Sequence, residues 1–153
     1  MRALVQRVSS GSVSISGELV AAIKDGAVIF IGVGKEDCQA DASYLAEKIA
    51  NLRIFPDPEG KFNLSLLDIS GEAIVVSQFT LFASTRKGRR PSFTDAAPPD
   101  LAEPLVDSFA ELLRTLGINV KTGRFQQHML VEIHNDGPVT IFIDSEDRLK
   151  PRK

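Results

Sequence analysis

The sequence predicts an α+β fold, with two helices on one side of a mixed β-sheet. Segment 27–33 is apolar at nearly every position, which is typical of a strand covered on both faces, and segment 73–81 is predicted to form a second buried strand. Segments near 38–52 and 100–116 repeat apolar residues with helical spacing, and a strand separates them along the chain. This order, with about seven strands in all, favours the α+β class.

The first strands precede residue 34. Residues 3–8 are predicted to form a strand, and apolar and serine side chains alternate with a period of two at 12–16. The apolar positions change parity between these stretches, which indicates a β-bulge or bend near residues 10–11. Turns are expected at 17–18 and at 24–26, each followed by another strand.

The first helix is predicted to cover about residues 38–52, with Asp37 as its N-cap. One of its faces carries the apolar residues Leu45, Ile49 and Leu52. Pro56 and Pro58 prevent the helix from continuing. Within 63–69, a short strand and a loop both fit the pattern.

The second helix is predicted to cover about residues 100–116. Asp100 and Glu103 have the spacing of a capping box, and Pro104 falls in the first turn, where proline is tolerated. Gly117 is the expected stop. Three later segments alternate as sheet strands do: 118–121, 129–134 and 138–143.

Composition restricts the class of protein. The chain has 153 residues, 43% hydrophobic and 25% charged, so one domain spanning 1–153 can bury an ordinary core. Cys38 is its only cysteine, which excludes an intrachain disulfide and fits a reducing compartment. No apolar run reaches the roughly 20 residues that span a bilayer, so a soluble, cytoplasmic protein without a membrane partner is expected. The polar tail 147–153 is expected to fray.

A net charge of −2 argues against a polycation, so contact with nucleic acid requires local clustering. Such a cluster lies in the polar segment 84–99, which carries Arg86, Lys87, Arg89 and Arg90. Connections of this length in compact domains are usually functional. A solvated loop is the alternative, because four cations form a weak signature.

The usual catalytic constellations are missing from the sequence, which has no Gly-x-Ser-x-Gly elbow, Walker loop or His-Glu-x-x-His motif. Cys38 is interpreted as an ordinary surface cysteine. His128 and His134 lie on one side of a predicted strand and could share a metal, but no further ligand has matching spacing. We therefore expect no metal and no cofactor, and an enzyme of this kind would depend on backbone groups or on its substrate.

Two short segments carry the strongest signals. In Ser77-Gln78-Phe79-Thr80, polar residues interrupt an apolar strand, unless the strand simply ends there and turns towards solvent. A buried polar group without a partner would cost about 1–3 kcal/mol. The second segment is Asn135-Asp136-Gly137-Pro138-Val139-Thr140. Its Gly-Pro bond is a candidate cis site, and a plain hairpin turn at 135–137 is the alternative.

Together, these segments resemble the paired signature of the D-aminoacyl-tRNA deacylase family. The resemblance covers essentially the whole chain and includes further stretches at 5–8, 86–93 and 122–125, with Met129. The chain departs from the family pattern at 126–128, where Gln-Gln-His replaces the smaller residues of many relatives. This departure concerns the rim of the implied pocket.

The family resemblance implies a homodimer with a strongly curved sheet and barrel-like packing at the subunit interface. It further implies that Gly137-Pro138, a cis pair in the family, is inserted into the partner's pocket as a chiral filter. Its carbonyls would hold the amino group of the substrate, and its bulk would exclude an L side chain. Glycine has no side chain to exclude, so glycyl-tRNA is an implied second substrate beside D-aminoacyl-tRNA.

The implied reaction is hydrolysis of the ester between an amino acid and the terminal ribose of tRNA, with the ribose 2′-hydroxyl helping to activate water. The resemblance assigns the backbone N–H groups of Phe79 and Thr80 to the developing oxyanion. It assigns Gln78 and the Thr80 hydroxyl to orientation of the substrate. Ser77 has no histidine partner in sequence, so a covalent intermediate on it is not expected.

Further residues follow from the same resemblance. Arg7 and Met129 are assigned to substrate binding, Arg7 by orienting the Gly-Pro pair. The cations of 86–90 are assigned to phosphates of the acceptor stem.

Two other classes of function stay open, a nucleic-acid-binding homodimer without hydrolytic activity and a small-molecule esterase. The absence of a catalytic triad disfavours the esterase.

Overall fold

The structure, a computed structural model, describes residues 1–152. Its strands are β1 (Arg2–Ile15), β2 (Glu18–Ile23), β3 (Gly26–Gly32), β4 (Phe55–Pro56), β5 (Phe62–Leu64), β6 (Glu72–Ser77), β7 (Asn119–Thr122) and β8 (Leu130–Asp144). Its helices are α1 (Gln39–Ala50) and α2 (Pro99–Thr115), and 3₁₀ turns cover Phe79–Phe82 and Ser145–Leu149.

Strand β1 is the centre of the main sheet. One of its edges pairs antiparallel with β3 along residues 2–8 and with β2 along 11–15, while its other edge pairs antiparallel with β8 along 2–14. Strand β3 is parallel to β6, and β6 is parallel to β7. The short strands β4 and β5 form a separate hairpin. Two helices with a mixed sheet confirm the predicted α+β class.

The main sheet curves until β2 approaches β6 and β7. The Lys121 ammonium on β7 donates to the carbonyl of Ala22 at 2.6 Å, and the backbone N–H of Lys24 donates to the Glu72 carboxylate at 3.3 Å. Strand twist accumulates across a sheet, and here it produces a nearly closed, barrel-like arrangement. The strong curvature is confirmed, and a single chain suffices to form it.

Both helices cover the same face of the sheet. Phe109 and Leu113 of α2 and Leu45 of α1 are fully buried in one core with sheet residues. A smaller core fills the inside of the curl and consists of Val8, Val13, Ala21, Ile23, Val28, Ile74 and Val76. Fully burying a large apolar side chain contributes about 1.5–3 kcal/mol, so both faces stabilise the sheet.

Strand β1 contains the predicted irregularity. Its pairing with β8 shifts register between Val8 and Ser10, which leaves the exposed Ser9 outside the ladder. The expected bulge near residues 10–11 is therefore confirmed, one residue earlier. Because of this bulge, the apolar side chains before and after it both face the inside of the curled sheet, although they alternate with opposite parity along the strand.

The hairpin alternative at 135–137 is wrong. Strand β8 runs through these residues without reversing, because the same edge of β1 pairs with both of its halves. Gln6 pairs with Thr140 and Val8 pairs with Asn135, so residues 136–139 bulge out of the ladder. We call this segment the Gly-Pro bulge. Its Gly137–Pro138 peptide bond is cis, as the sequence suggested.

The predicted helix caps are wrong at both N-termini. Cys38 is the N-cap of α1, and its backbone N–H donates to the Asp41 carboxylate at 2.9 Å, while Asp37 bonds elsewhere. Helix α2 begins at Pro99, because proline fits the first helical position. Pro104 therefore lies inside α2 rather than in its first turn, and Asp100 is helical instead of a cap.

The C-terminal tail is not frayed at 145–149. Ser145 is fully buried, and the guanidinium of Arg148 donates to the Asp41 carboxylate at 3.0 Å. Burial raises the pKa of Asp41, but hydrogen bonds from Arg148, the Cys38 backbone and Ser145 outweigh it and hold that pKa well below its usual range. Asp41 thus joins the tail to the start of α1.

Neither helix within residues 1–152 is long and apolar enough to cross a membrane.

We expect Asp41→Asn to lower the free energy of unfolding by about 1–3 kcal/mol at pH 7, since Arg148 and the start of α1 lose a charged acceptor. A lowered pKa in the folded state contributes stability above the unfolded pKa of about 3.9, and this contribution is lost as the pH falls. Urea unfolding at pH 7 and near pH 3 should therefore show the difference from wild type shrinking in acid.

The matched control is Asp147→Asn, which removes a half-exposed carboxylate paired with Lys150. We expect it to change the free energy of unfolding by at most about 0.5 kcal/mol. An Asp41→Asn difference that is the same at both pH values would contradict the electrostatic explanation.

Candidate active site

A pocket of about 680 Å³ lies beyond the carboxyl ends of β3 and β6. One wall is formed by Ser77, Gln78 and Phe79, which follow each other directly at the end of β6. The segment 125–129 forms the opposite wall, and the first turn of α2 contributes Pro99 and Ala102. Ligands of sheets with parallel strands commonly bind outside the carboxyl ends of those strands.

The polar segment after β6 is a 3₁₀ turn and not the strand that the apolar run 73–81 predicted. Strand β6 ends at Ser77, the N–H of Gln78 still bonds to the carbonyl of Ile31 at 2.7 Å, and the chain then turns at Phe79–Phe82. Among residues 1–152, no acceptor bonds to the backbone N–H of Phe79 or Thr80. These two adjacent donors are free at the edge of the pocket.

Side chains of this turn are arranged around the free donors. The amide of Gln78 donates a short hydrogen bond to the hydroxyl of Thr80. Phe79 is 55% exposed and packs edge-on against Phe93, with ring centroids 5.0 Å apart. Phe79 and Phe93 line the pocket, whereas Thr80 lies beside it. Phe93 was not predicted to be a site residue, although an aromatic residue next to a basic cluster is a recognisable signal for nucleic-acid contact.

Met129 belongs to the opposite wall. A side chain on Gly123 would meet the Met129 sulfur at 2.6 Å, so the bare glycine backbone leaves room for the methionine. Between them the chain turns, with the N–H of Gln127 bonded to the carbonyl of Arg124 at 3.3 Å and Gln126 at a φ of 61°. Residues 126–128, where the sequence departs from the family pattern, all line the pocket.

The two histidines do not share one side of a strand. His128 precedes β8 and lines the pocket, whereas His134 lies within β8 and is exposed. In the described part of the chain, no hydrogen bond joins Ser77 to His128, and no group of three His, Cys, Asp or Glu side chains could hold a metal. Folding thus brings one histidine near Ser77 without forming a nucleophile–base pair.

Arg7 holds the Gly-Pro bulge from the helix-covered side of the sheet. Its guanidinium is buried and donates to the carbonyl of Asp136 at 2.9 Å and to the carbonyl of Ile54 at 2.8 Å. It also lies over the ring of Phe62, 5.3 Å from the centroid. The arginine therefore ties the residue before Gly137 to the loop that leads into β4.

Gly137 and Pro138 are exposed and do not line the pocket of their own chain. Gly137 has a φ of 129°, which disfavours a side chain, and a Cβ there would lie 2.9 Å from the Arg7 guanidinium. The structure therefore brings Ser77, Gln78, Phe79 and Met129 together with Thr80 beside them, but it keeps Arg7, Gly137 and Pro138 apart from them.

The basic cluster lies on a closed loop next to the pocket. Ser84 and Ser92 exchange backbone hydrogen bonds of 2.8 and 2.9 Å, so residues 84–92 form what we call the basic loop. Arg86 and Lys87 line a shallow cavity beside it. Within residues 1–152, none of the four cations of this loop forms a salt bridge. The loop begins just after the Phe79–Phe82 turn and returns at Phe93, on the pocket rim.

Comparison with known proteins assigns this architecture to a family. The family model described as D-Tyr-tRNA(Tyr) deacylase matches residues 4–144. A D-aminoacyl-tRNA deacylase of Roseiflexus sp. (strain RS-1) is 62% identical over 152 residues, covering 99% of this chain and 98% of that protein. A protein of the same name from Dehalococcoides mccartyi (strain ATCC BAA-2266 / KCTC 15142 / 195) is 56% identical over 153 residues, covering all of both chains.

Two solved structures share the fold of this chain. The structure titled c-Myc DNA Unwinding Element Binding Protein has a TM-score of 0.90 and 41% identity, covering 94% of this chain and 98% of its own. The structure titled as a probable eukaryotic D-amino acid tRNA deacylase has a TM-score of 0.80 at 18% identity, with the same coverage, and shows the shared fold. The fold, both sequence motifs and the full-length matches agree, and the chain belongs to the D-Tyr-tRNA(Tyr) deacylase family.

Proposed function

We propose that this protein hydrolyses the ester bond of D-aminoacyl-tRNA, and of glycyl-tRNA, to free tRNA and amino acid, as a chiral proofreading step in translation. The observation that carries the proposal is the pocket at the end of β6, where two free backbone N–H groups lie beside Gln78 and Thr80 in a member of this family. No cofactor takes part in the proposed reaction.

The proposed chemistry uses positioned donors in place of a titrating pair. Water attacks the ester carbonyl and loses a proton, an oxyanion forms, and the bond from the carbonyl carbon to the ribose oxygen then breaks as that oxygen takes up a proton. The N–H groups of Phe79 and Thr80 stabilise the oxyanion, a contribution typically worth about 2.7–4 kcal/mol per donor. Gln78 and the Thr80 hydroxyl orient the substrate, and the neighbouring ribose 2′-hydroxyl helps to activate water. The lack of a Ser77–His128 hydrogen bond supports this route.

Chiral selection is proposed to require a second copy of the chain. The Gly-Pro bulge is exposed and held in place by Arg7, so it can enter a pocket of a partner but not its own. Strand β8, which carries the bulge, also contributes to an apolar sheet face: Leu4 pairs with Phe30 on one side and with Phe142 on the other. Phe142 is 54% exposed, and burying such a face in a homodimer would remove it from water. Met129 contributes to the wall that the partner's bulge would meet.

The basic loop is proposed to bind phosphates of the acceptor stem. Its cations Arg86, Lys87, Arg89 and Arg90 are exposed, and within residues 1–152 none of them forms a salt bridge, although Asp95 lines the same cavity as Arg86 and Lys87. Phosphate contacts of this kind position a ligand and carry little sequence information. The loop adjoins the pocket rim at Phe93, which suits a substrate whose ester lies at the end of an RNA strand.

A second candidate is a nucleic-acid-binding homodimer without hydrolytic activity. The observation that favours it is the 41% identity to the structure titled c-Myc DNA Unwinding Element Binding Protein. The two candidates share the basic loop but differ in the pocket, since only hydrolysis needs the free donors at Phe79 and Thr80. A deacylation assay therefore separates them.

We expect the wild-type protein to cleave D-alanyl-tRNA and glycyl-tRNA and to leave L-alanyl-tRNA intact. A hydrophobic pocket distinguishes one methylene by only about 1–3 kcal/mol, so a larger difference requires a steric clash with a rigid wall. The measurement is the rate of amino-acid release from the three substrates at one enzyme concentration. Comparable rates on the two alanyl enantiomers would refute the chiral filter.

The partner's role in this selection is tested by Phe142→Glu, which places a charge on the apolar face. Sedimentation should show a monomer, and D-alanyl-tRNA cleavage should fall with it, because each pocket loses the bulge of the partner. Leu149→Glu is the matched control, as Leu149 is 70% exposed on the C-terminal turn and lies outside that face. A fully active Phe142→Glu monomer would contradict the shared site.

We expect Ser77→Ala and His128→Gln each to lower kcat by less than about tenfold, because no hydrogen bond pairs the hydroxyl with the imidazole. Removing a true nucleophile or its base would lower kcat by about 10⁴-fold or more. Single-turnover assays on D-aminoacyl-tRNA measure the effect. Trapping of an acyl group on Ser77 would instead establish covalent catalysis.

Removing two charges from the basic loop, by Arg86→Gln with Lys87→Gln, should weaken tRNA binding and flatten its salt dependence. Each lost phosphate contact should reduce the slope of log K against log salt by about 0.7–0.9. The matched control is Lys61→Gln with Lys150→Gln, which removes two exposed charges elsewhere. Equal slopes for the two double variants would exclude the basic loop from phosphate binding.

A further inference from the structure

Arg2 on β1 contacts the turn that follows β6, although the two lie far apart in sequence. Its guanidinium donates to the backbone carbonyl of Leu81 at 3.1 Å and stacks on the ring of Phe82, with 4.4 Å to the centroid. Leu81 and Phe82 are the last two residues of the Phe79–Phe82 turn. The planar guanidinium of Arg2 therefore contacts both the backbone and a side chain of that turn.

Asp144 fixes the guanidinium from the other side. Arg2 and Asp144 are direct partners in the pairing of β1 with β8, and the Arg2 Nε donates to the Asp144 carboxylate at 3.1 Å. Asp144 in turn accepts a hydrogen bond from the backbone N–H of Glu146 at 3.0 Å. The arginine is thus anchored to the sheet, with its side chain only 32% exposed.

Two glycines leave room for the turn to pack next to Arg2. Gly32 is the β3 partner of Arg2, and a Cβ on it would lie 3.0 Å from the Gln78 carbonyl and from the Leu81 Cβ. A Cβ on Gly34 would lie 2.7 Å from the Phe82 ring. The absence of side chains at these positions lets the turn pack directly on the end of β3.

Apart from Arg2 and the glycines, the turn is held by its own backbone hydrogen bonds, by the Gln78–Thr80 hydrogen bond and by the contact of Phe79 with Phe93. The N–H of Leu81 bonds to the carbonyl of Gln78 at 3.2 Å and the N–H of Ala83 bonds to the carbonyl of Thr80 at 3.0 Å, while Phe79 and Thr80 are exposed. Carbonyls at the end of a short helical turn lack intrahelical partners, and Arg2 supplies one to Leu81. Movement at Leu81 would carry the neighbouring N–H groups of Phe79 and Thr80 with it.

We propose that Arg2, anchored by Asp144, is a positioning residue that holds the Phe79–Phe82 turn so that its free N–H groups stay aligned with the reacting ester. This inference rests on the proposed function, in which those groups stabilise the oxyanion. Misplacing catalytic groups by about 1 Å can cost about 10²-fold in rate. Because the donors act on the transition state, loss of the grip lowers kcat and leaves KM nearly unchanged.

The test compares Arg2→Ala with Arg114→Ala. Arg114 is a matched control, since it also holds one backbone carbonyl, that of Val120 at 3.0 Å, and one carboxylate, that of Glu111 at 3.2 Å, away from the pocket. We expect Arg2→Ala to lower kcat on D-aminoacyl-tRNA by about 10- to 100-fold with KM within about threefold of wild type. Arg114→Ala should lower the melting temperature by a similar amount without lowering kcat.

Two milder variants keep the test decisive where Arg2→Ala folds poorly. Arg2→Lys retains the charge but cannot bond to Leu81 and Asp144 in one plane while it covers Phe82, so kcat should fall to an intermediate value. Asp144→Asn leaves Arg2 in place with a weaker anchor and should give a smaller fall in kcat. An unchanged kcat in both variants would overturn the proposal.

A second measurement needs no substrate. Hydrogen exchange at the amides of Leu81 and Ala83, which are hydrogen-bonded within the turn, should be faster in Arg2→Ala than in wild type and unchanged in Arg114→Ala. Unchanged exchange in Arg2→Ala would overturn the proposal, as would faster exchange with an unchanged kcat. A wild-type protein that cleaves no D-aminoacyl-tRNA would instead refute the proposed function, and the exchange rates would still decide whether Arg2 holds the turn.

Discussion

Strand β1 connects the turn after β6 with the Gly-Pro bulge, and it does so through two arginines that point to opposite faces of the sheet. Arg2 bonds to the carbonyl of Leu81 in the turn after β6, and Arg7 bonds to the carbonyl of Asp136 at the Gly-Pro bulge. Residues an odd number apart on a strand project to opposite sides, so one strand can hold one segment from each face. The geometry of both segments therefore depends on the pairing of β1 with β3 and β8.

Backbone groups suit a reaction that has to discriminate by shape. The free N–H groups of Phe79 and Thr80 do not titrate near neutral pH, and their positions are set by the packing of the turn on Gly32. A charged recognition residue would bind the amino group of either enantiomer, whereas a rigid wall excludes one of them. In the proposed reaction, the same rigidity would make the rate depend on residues that never touch the substrate, because a small displacement of a donor has a large effect on rate.

The separation of the two motifs within one chain has a consequence for assembly. Residues Ser77–Phe79 line the pocket, while Gly137 and Pro138 are exposed elsewhere on the sheet. A filter supplied by a partner would make chiral selection and dimer formation a single property, since a lone chain could not exclude an L side chain. The apolar pairing of Leu4 with Phe30 and Phe142 provides the surface on which such a dimer could form.

Local sequence patterns determined the class of fold, the two helices, the buried strands β3 and β6, and the bulge in β1. These features depend on the periodicity of apolar residues, which a short segment of sequence shows by itself. Both motifs were also recognisable as residues. Their backbone conformations could not be predicted in the same way. The run 73–81 has the composition of one strand, yet the chain leaves the sheet at Ser77 and forms a turn. This turn packs on Gly32 and is hydrogen-bonded by Arg2.

Only the tertiary structure decided which distant residues meet. Residues 135–137 have the composition of a hairpin, but β1 offers a continuous edge to both halves of β8, so the strand runs on and the Gly-Pro pair bulges. Pairing energy with a strand far away in sequence thus outweighs the local turn preference. The contacts of Arg2 with Leu81 and of Arg7 with Asp136 have the same origin. Each joins residues whose proximity depends on sheet order and curvature, and neither property is encoded in any local stretch of the chain.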